Sequence, residues 1–173
     1  MNIQLKALIN QNRIRPIKEV VDSINKCHIT LDVLTYASYS YNENIMKLLL
    51  EKRPVSKKHI SSWAQGTLHA ILNQIASGTS LRSLSKQVKF LEYLISIGGN
   101  VESNVINANS KLFPNYKSQF TQLSKKVTTF RTKFNKVIDK RKKNLENGLV
   151  NYNLPMNLKK LIINKTLHKE FFE

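Results

Sequence analysis

The chain has 173 residues, with 28 Lys and Arg against 11 Asp and Glu, a formal charge of +17. Its 41% hydrophobic and 23% charged residues suit a folded domain and exclude a disordered, collagen-like or linker-like chain. No apolar run reaches transmembrane length, Met1 to Arg13 lacks a signal-peptide core, and the single Cys27 excludes an internal disulfide framework or a cysteine-based zinc site. These features predict a cytosolic protein without membrane attachment.

Strand signals are almost absent, and apolar residues recur at spacings of three and four, which predicts an all-α fold. Ile17, Val20, Val21 and Ile24 fit a first helix, with Pro16 in its first turn. Leu31, Val33, Leu34 and Ala37 fit a second. Ile45, Met46, Leu48, Leu49 and Leu50 fit a third, stopped by Pro54. Leu68, Ala70, Ile71, Leu72 and Ile75 fit a fourth. Val88, Phe90, Leu91, Leu94 and Ile95 fit a fifth, closed by Gly98-Gly99.

Short paired helices prompt a search for a repeat near 33 residues. Leu34-Thr35-Tyr36-Ala37-Ser38, followed by Asn42 to Glu51, resembles an ankyrin repeat. Gly66-Thr67-Leu68-His69-Ala70 is similar to a second start, with Leu68 placed 34 residues after Leu34. Phe90 to Ile97 resembles its outer helix, and Gly98-Gly99-Asn100-Val101-Glu102 resembles the ending that enters the next finger. The resemblance implies stacked helix pairs, with small Ala37 and Ala70 letting helices approach closely, because one repeat alone cannot bury its face. It also implies that His69 hydrogen-bonds the finger backbone. Tyr41 stands where the turn glycine of the repeat usually stands, and Arg53-Pro54 where Gly-Ala usually stands. A polar insertion near 76–86 is expected to form a surface loop or short extra turn whose shortening costs little. On this reading residues 1–30 are a degenerate N-terminal repeat or cap, and 31–103 hold two ankyrin-like repeats.

Residues 104–149 read as a long basic element. Phe120, Leu123, Val127, Phe130, Phe134 and Val137 make a narrow apolar seam on one helix of about residues 116 to 147. Residues 116–149 carry ten Lys and Arg against Asp139 and Glu146, a net +8. The seam is expected to pack on the open end of the stack or on the C-terminal helix. Lys125, Lys126, Lys133, Lys140 and Lys143 are expected to face water. Lys140-Arg141-Lys142-Lys143 reads first as a solvated helix end; it also resembles a short nuclear-import signal or anion patch.

Residues 150–173 contain Leu154-Pro155-x-x-Leu158-x-x-x-Ile162-Ile163, which resembles the start of an F-box. It is most similar to the truncated F-box-like segment that closes ankyrin proteins of poxviruses and some intracellular bacteria. Asn157 stands where that motif usually has Glu. The resemblance implies that Leu154, Pro155, Leu158, Ile162 and Ile163 dock a ubiquitin-ligase adaptor subunit in a host cell. The competing reading packs this helix on residues 120–137 of its own chain.

The four histidines, His28, His59, His69 and His168, have no metal-ligand spacing, and no Gly-rich phosphate loop or nucleophile elbow occurs. No cofactor, metal or catalytic residue is expected. Cys27 and His28 are sequence neighbours and point apart on a helix. Trp63, Tyr36, Tyr39 and Tyr41 suit interface contacts. The ankyrin resemblance implies that Tyr36, Tyr39, Tyr41, Asn73 and Gln74 form the partner-binding face. Three readings follow. One is a monomeric adaptor that binds a target protein through the repeats and recruits a cullin-RING ubiquitin ligase. Another is a plain ankyrin-type binding or inhibitor module. The third is a basic protein that binds nucleic acid weakly, nonspecifically and with strong salt dependence.

Overall fold

The computed structural model describes residues 2–23, 29–152 and 154–172. Ile24, Cys27 and His28 lie outside them. The described residues are all-helical: α1 (Asn2–Asn10), α2 (Ile14–Ser23), α3 (Leu31–Ser38), α4 (Glu43–Lys52), α5 (Lys57–Ala76), α6 (Ser85–Ser96), α7 (Asn104–Leu112), a 3-10 turn (Pro114–Tyr116), α8 (Lys117–Gly148) and α9 (Met156–Phe172).

Local chemistry starts and stops these helices. Thr30 Oγ1 accepts from the Val33 N–H at 3.4 Å and caps α3. Asn42 Oδ1 accepts from the N–H groups of Asn44 and Ile45 and caps α4, whose Glu43 and Lys52 sit at the favourable dipole ends. Three helices close in the same way, on a residue in the left-handed conformation. After α6, Gly98 has φ +96; its N–H donates to Ile95 O, and the Gly99 N–H donates back to Leu94 O at 2.8 Å. Gly78 ends α5 and Asn12 ends α1 with the same pair of bonds. Tyr41, in the glycine position of the α3–α4 turn, also adopts a positive φ, +49. Its ring meets Phe90 edge-on at 6.0 Å, a contact that offsets the cost of that backbone.

Consecutive helices pack as pairs: α1 with α2, α3 with α4, α5 with α6, α7 with α8. First members also meet first members, and second members meet second members. Helix α1 packs on α3, and α5 on α7; α2 packs on α4, and α6 on α8. Side chains complete the two rows. Trp63 Nε1 on α5 donates to Thr35 Oγ1 on α3 at 3.2 Å, and Lys47 on α4 lies 5.5 Å from the Tyr93 ring centre on α6. One continuous core runs from Leu5 and Ile9 through Leu34, Leu49, Leu68, Phe90 and Phe120 to Phe130. Helix α9 packs chiefly on α8, and its buried Ile163 and Leu167 lie apart from that core.

Several elements differ from expectation. Gly66-Thr67-Leu68 lies in the middle of α5, because Ile60, Trp63 and Ala64 are buried and extend the same apolar face backward to Lys57. Helices α1 and α7 are additional; α1 buries Leu5 and Ile9 with Leu8 partly covered, and α7 buries Ile106 with Val105 partly covered. Between α5 and α6 the chain turns at Ser77-Gly78 and again over residues 81–84. Leu81 and Leu84 are nevertheless buried, and the Leu81 N–H donates to Gln119 Oε1 on α8 at 2.6 Å, so the insertion is anchored in the core. The seam of α8 is buried at Phe120, Leu123, Val127 and Phe130, half-buried at Phe134 and exposed at Val137, because α8 outruns the body it packs on.

Candidate interaction surfaces

The aromatic residues expected to form one contact face take separate places. Tyr36 is half-buried; its hydroxyl donates to Asn10 Oδ1 at 2.6 Å, and Lys6 Nζ lies 5.4 Å from its ring centre. Tyr39 is exposed. Both line a cleft of about 260 Å³ with Asn10, Asn12, Ser40 and Lys86, at the turn end of the first two helix pairs. Tyr41 packs instead against Phe90, and burial, then the nearby Tyr39, raises the pKa of its hydroxyl. Asn73 is exposed and Gln74 half-buried at the end of α5, where their backbone carbonyls accept from Ser77 and Thr79. Neither lines the tyrosine cleft. Trp63 is a buried strut between α5 and α3, not an exposed contact.

The Gly98 to Ser103 connector is held from two sides. Its Asn100 N–H donates to Ser61 Oγ at 3.0 Å, and its Glu102 N–H donates to Gln65 Oε1 at 2.8 Å, both on α5. Gln65 Nε2 also donates to His69 Nε2 at 3.0 Å. His69 therefore serves its own helix through Gln65 rather than bonding a finger backbone, because the residues before it are helical. From the other side Arg131 on α8 donates to Ser103 Oγ at 3.1 Å, to Asn100 Oδ1 and to the Val101 carbonyl. Lys57, Lys58, Ser61, Ser62, Gln65 and Asn100 line a cleft of about 500 Å³ beside this connector.

Much of the charge on α8 is exposed to solvent. Lys125, Lys126, Lys136, Lys140, Arg141, Lys142 and Lys143 are all exposed. Lys133, expected to face water alone, pairs with Glu92 on α6 at 2.7 Å. It remains more than half exposed, so the pair contributes little.

Helix α9 has two apolar stripes. Ile163 (4% exposed) and Leu167 (7%) face α8, whereas Leu158 (42%), Leu161 (49%) and Ile162 (39%) face solvent. At 100° per residue the two sets fall on opposite sides of the helix. Leu154 is half-buried and Pro155 exposed just before the first turn, where the Pro155 carbonyl accepts from the Leu158 and Lys159 N–H groups.

Among the described residues no three His, Cys, Asp or Glu side chains gather as metal ligands, and no helix is long and apolar enough to cross a membrane. Comparison with known protein families, with curated proteins and with solved structures finds no match to this chain.

Proposed function

We propose that the protein is a non-enzymatic interaction adaptor: an ankyrin-like stack of helix pairs that binds a target protein, with an F-box-like C-terminal helix that recruits a host cullin-RING ubiquitin ligase. The observation that carries this reading is the outward stripe of α9. Leu158 and Ile162 of the Leu154-Pro155 motif are uncovered, while Ile163 and Leu167 hold the helix on α8. A helix anchored by one stripe and presenting another has what groove recognition requires. The pairwise packing of α1 to α8 in two rows supports the stack, and the cleft around Tyr36 and Tyr39 offers aromatic contacts to a target.

The test is affinity purification from host-type cells with the full chain and with Leu158→Asp combined with Ile162→Asp. Cullin and its adaptor subunit should co-purify with the natural chain and not with the variant, while target proteins are retained by both. A natural chain that brings down no cullin complex ends the ligase reading and leaves the plain binding module.

A second reading is favoured by the exposed cations of α8: weak, nonspecific binding of nucleic acid. Neutralising several phosphates makes such affinity fall steeply with salt. Affinity for a DNA duplex that hardly changes between low and physiological salt removes it.

A further inference from the structure

Helices α6 and α8 run side by side in the same direction and leave a groove of about 450 Å³ between them. Two polar rungs frame it. At one end Gln119 Oε1 accepts from the Leu81 N–H at 2.6 Å; at the other Lys133 Nζ donates to Glu92 Oε1 at 2.7 Å. Residues 119 and 133 lie on one helix, so the rungs are about 21 Å apart at 1.5 Å per residue. The floor is apolar: Leu81, Val88 and Phe130 show their edges there. The rim is basic, with Arg82 from the insertion, Lys89 from α6 and Lys126 from α8 all exposed. Glu92, the one acidic side chain in the lining, is already paired with Lys133.

We propose that this groove docks an acidic amphipathic helix of a partner protein. The length between the rungs matches three to four helical turns, about fourteen residues. The floor takes an apolar stripe spaced at three and four, and the rim takes Asp and Glu flanking that stripe. The combination selects the occupant. A nucleic-acid backbone satisfies the cations but supplies no apolar side chains for the floor. The insertion acquires a purpose: without Leu81 and Arg82 the groove has neither its end wall nor one third of its cationic rim. This site shares no lining residue with the tyrosine cleft and stands independently of the ligase reading.

The probe is a fluorescein-labelled acidic peptide of about fourteen residues with its leucines on one helical face. A scrambled peptide of identical composition is the control, and binding to the full chain is read by anisotropy near physiological salt. The ordered peptide should bind about tenfold tighter than the scramble. Lys89→Glu with Lys126→Glu should remove that advantage. So should Gln122→Trp, which fills the groove without changing charge. Lys140→Glu with Lys142→Glu, of equal charge change but outside the groove, should leave the advantage intact. Thermal melts confirm that each surface variant is folded. Equal binding of the two peptides, or no binding of either, overturns the proposal. Equal losses from the two charge reversals also overturn it, as does displacement of the peptide by a DNA duplex to the same extent in both variants; those outcomes mark a diffuse polyanion surface.

Discussion

Two glycines of the fold have opposite prospects. Gly66 is exposed in the interior of α5, and a Cβ there would meet no heavy atom within 4 Å. Gly66→Ala should stabilise the protein by about 1 kcal/mol, the helix-propensity difference between the two residues. Gly99 is buried, and its Cβ would lie 2.7 Å from the Leu94 carbonyl oxygen and 3.1 Å from Ile60 Cγ2. Gly99→Ala forces the α6 closure apart and should cost more than about 1 kcal/mol. Urea titrations of the two variants should move in opposite directions; a stabilised Gly99→Ala contradicts the close approach. Tyr93 supplies a pH test at the same scale. Burial first, then the carboxylates of Glu43 and Glu51, raise its hydroxyl well above its ordinary pKa of 10.0. The folded state therefore holds the proton more tightly than the unfolded chain. Its contribution is fully present below pH 10.0 and is lost as pH rises toward the folded value. Tyr93→Phe should flatten the alkaline fall in stability, while Tyr41, raised in the same direction, leaves a residual slope. An unchanged slope above that pH argues against a buried Tyr93 hydroxyl.

At the scale of elements, α8 is two helices in one. Its first half is a core helix, since Phe120, Leu123, Val127 and Phe130 are buried against the paired helices. Its second half carries Val137 into solvent, and α9 packs on the helix as a whole. Phe130→Ala should cost about 3–5 kcal/mol through the cavity it leaves. Val137→Ala, on the same stripe two turns later, should change stability by less than about 0.5 kcal/mol. Lys133→Ala removes only the exposed pair with Glu92 and should cost less than about 1 kcal/mol. Denaturant midpoints for the three rank them directly, and equal effects of Phe130→Ala and Val137→Ala would deny the division. Arg131 shows why position along α8 outranks charge: five residues from each of the exposed Lys126 and Lys136, it turns inward and holds the connector that starts α7.

For the whole molecule, the separation of Ile163 and Leu167 from the main core predicts uneven stability. Helix α9 should open without the paired helices opening, because its buried stripe rests chiefly on α8. Leu167→Asp should abolish hydrogen-exchange protection in α9 and leave that of α5 and α6 unchanged. Loss of protection throughout would mean that α9 is part of one cooperative unit. The same experiment bears on recruitment, since a docking helix must keep its anchor on α8 while presenting Leu158 and Ile162.

By itself the sequence determined the all-α class and the places of α2, α3, α4, α6 and α8, because apolar spacing, the Asn42 cap, Pro54 and Gly98-Gly99 are local signals. It also contained the start of α5 in Ile60, Trp63 and Ala64, a three-four pattern continuous with Leu68 that the repeat alignment obscured. Helix α1 carries a short three-four stripe in Leu5, Leu8 and Ile9 that went unread beside the longer ones, whereas α7 was not legible because Ile106 is the one residue it fully buries. Tertiary structure alone decided which aromatics face water. Tyr39 and Trp63 are equally suited to an interface by composition, yet one is exposed and the other is a strut bonded to Thr35. Tertiary structure also decided the two stripes of α9 and the α6–α8 groove. Periodicity says which residues share a face of a helix. What covers that face depends on a neighbour distant in sequence, as Leu81 and Gln119 are.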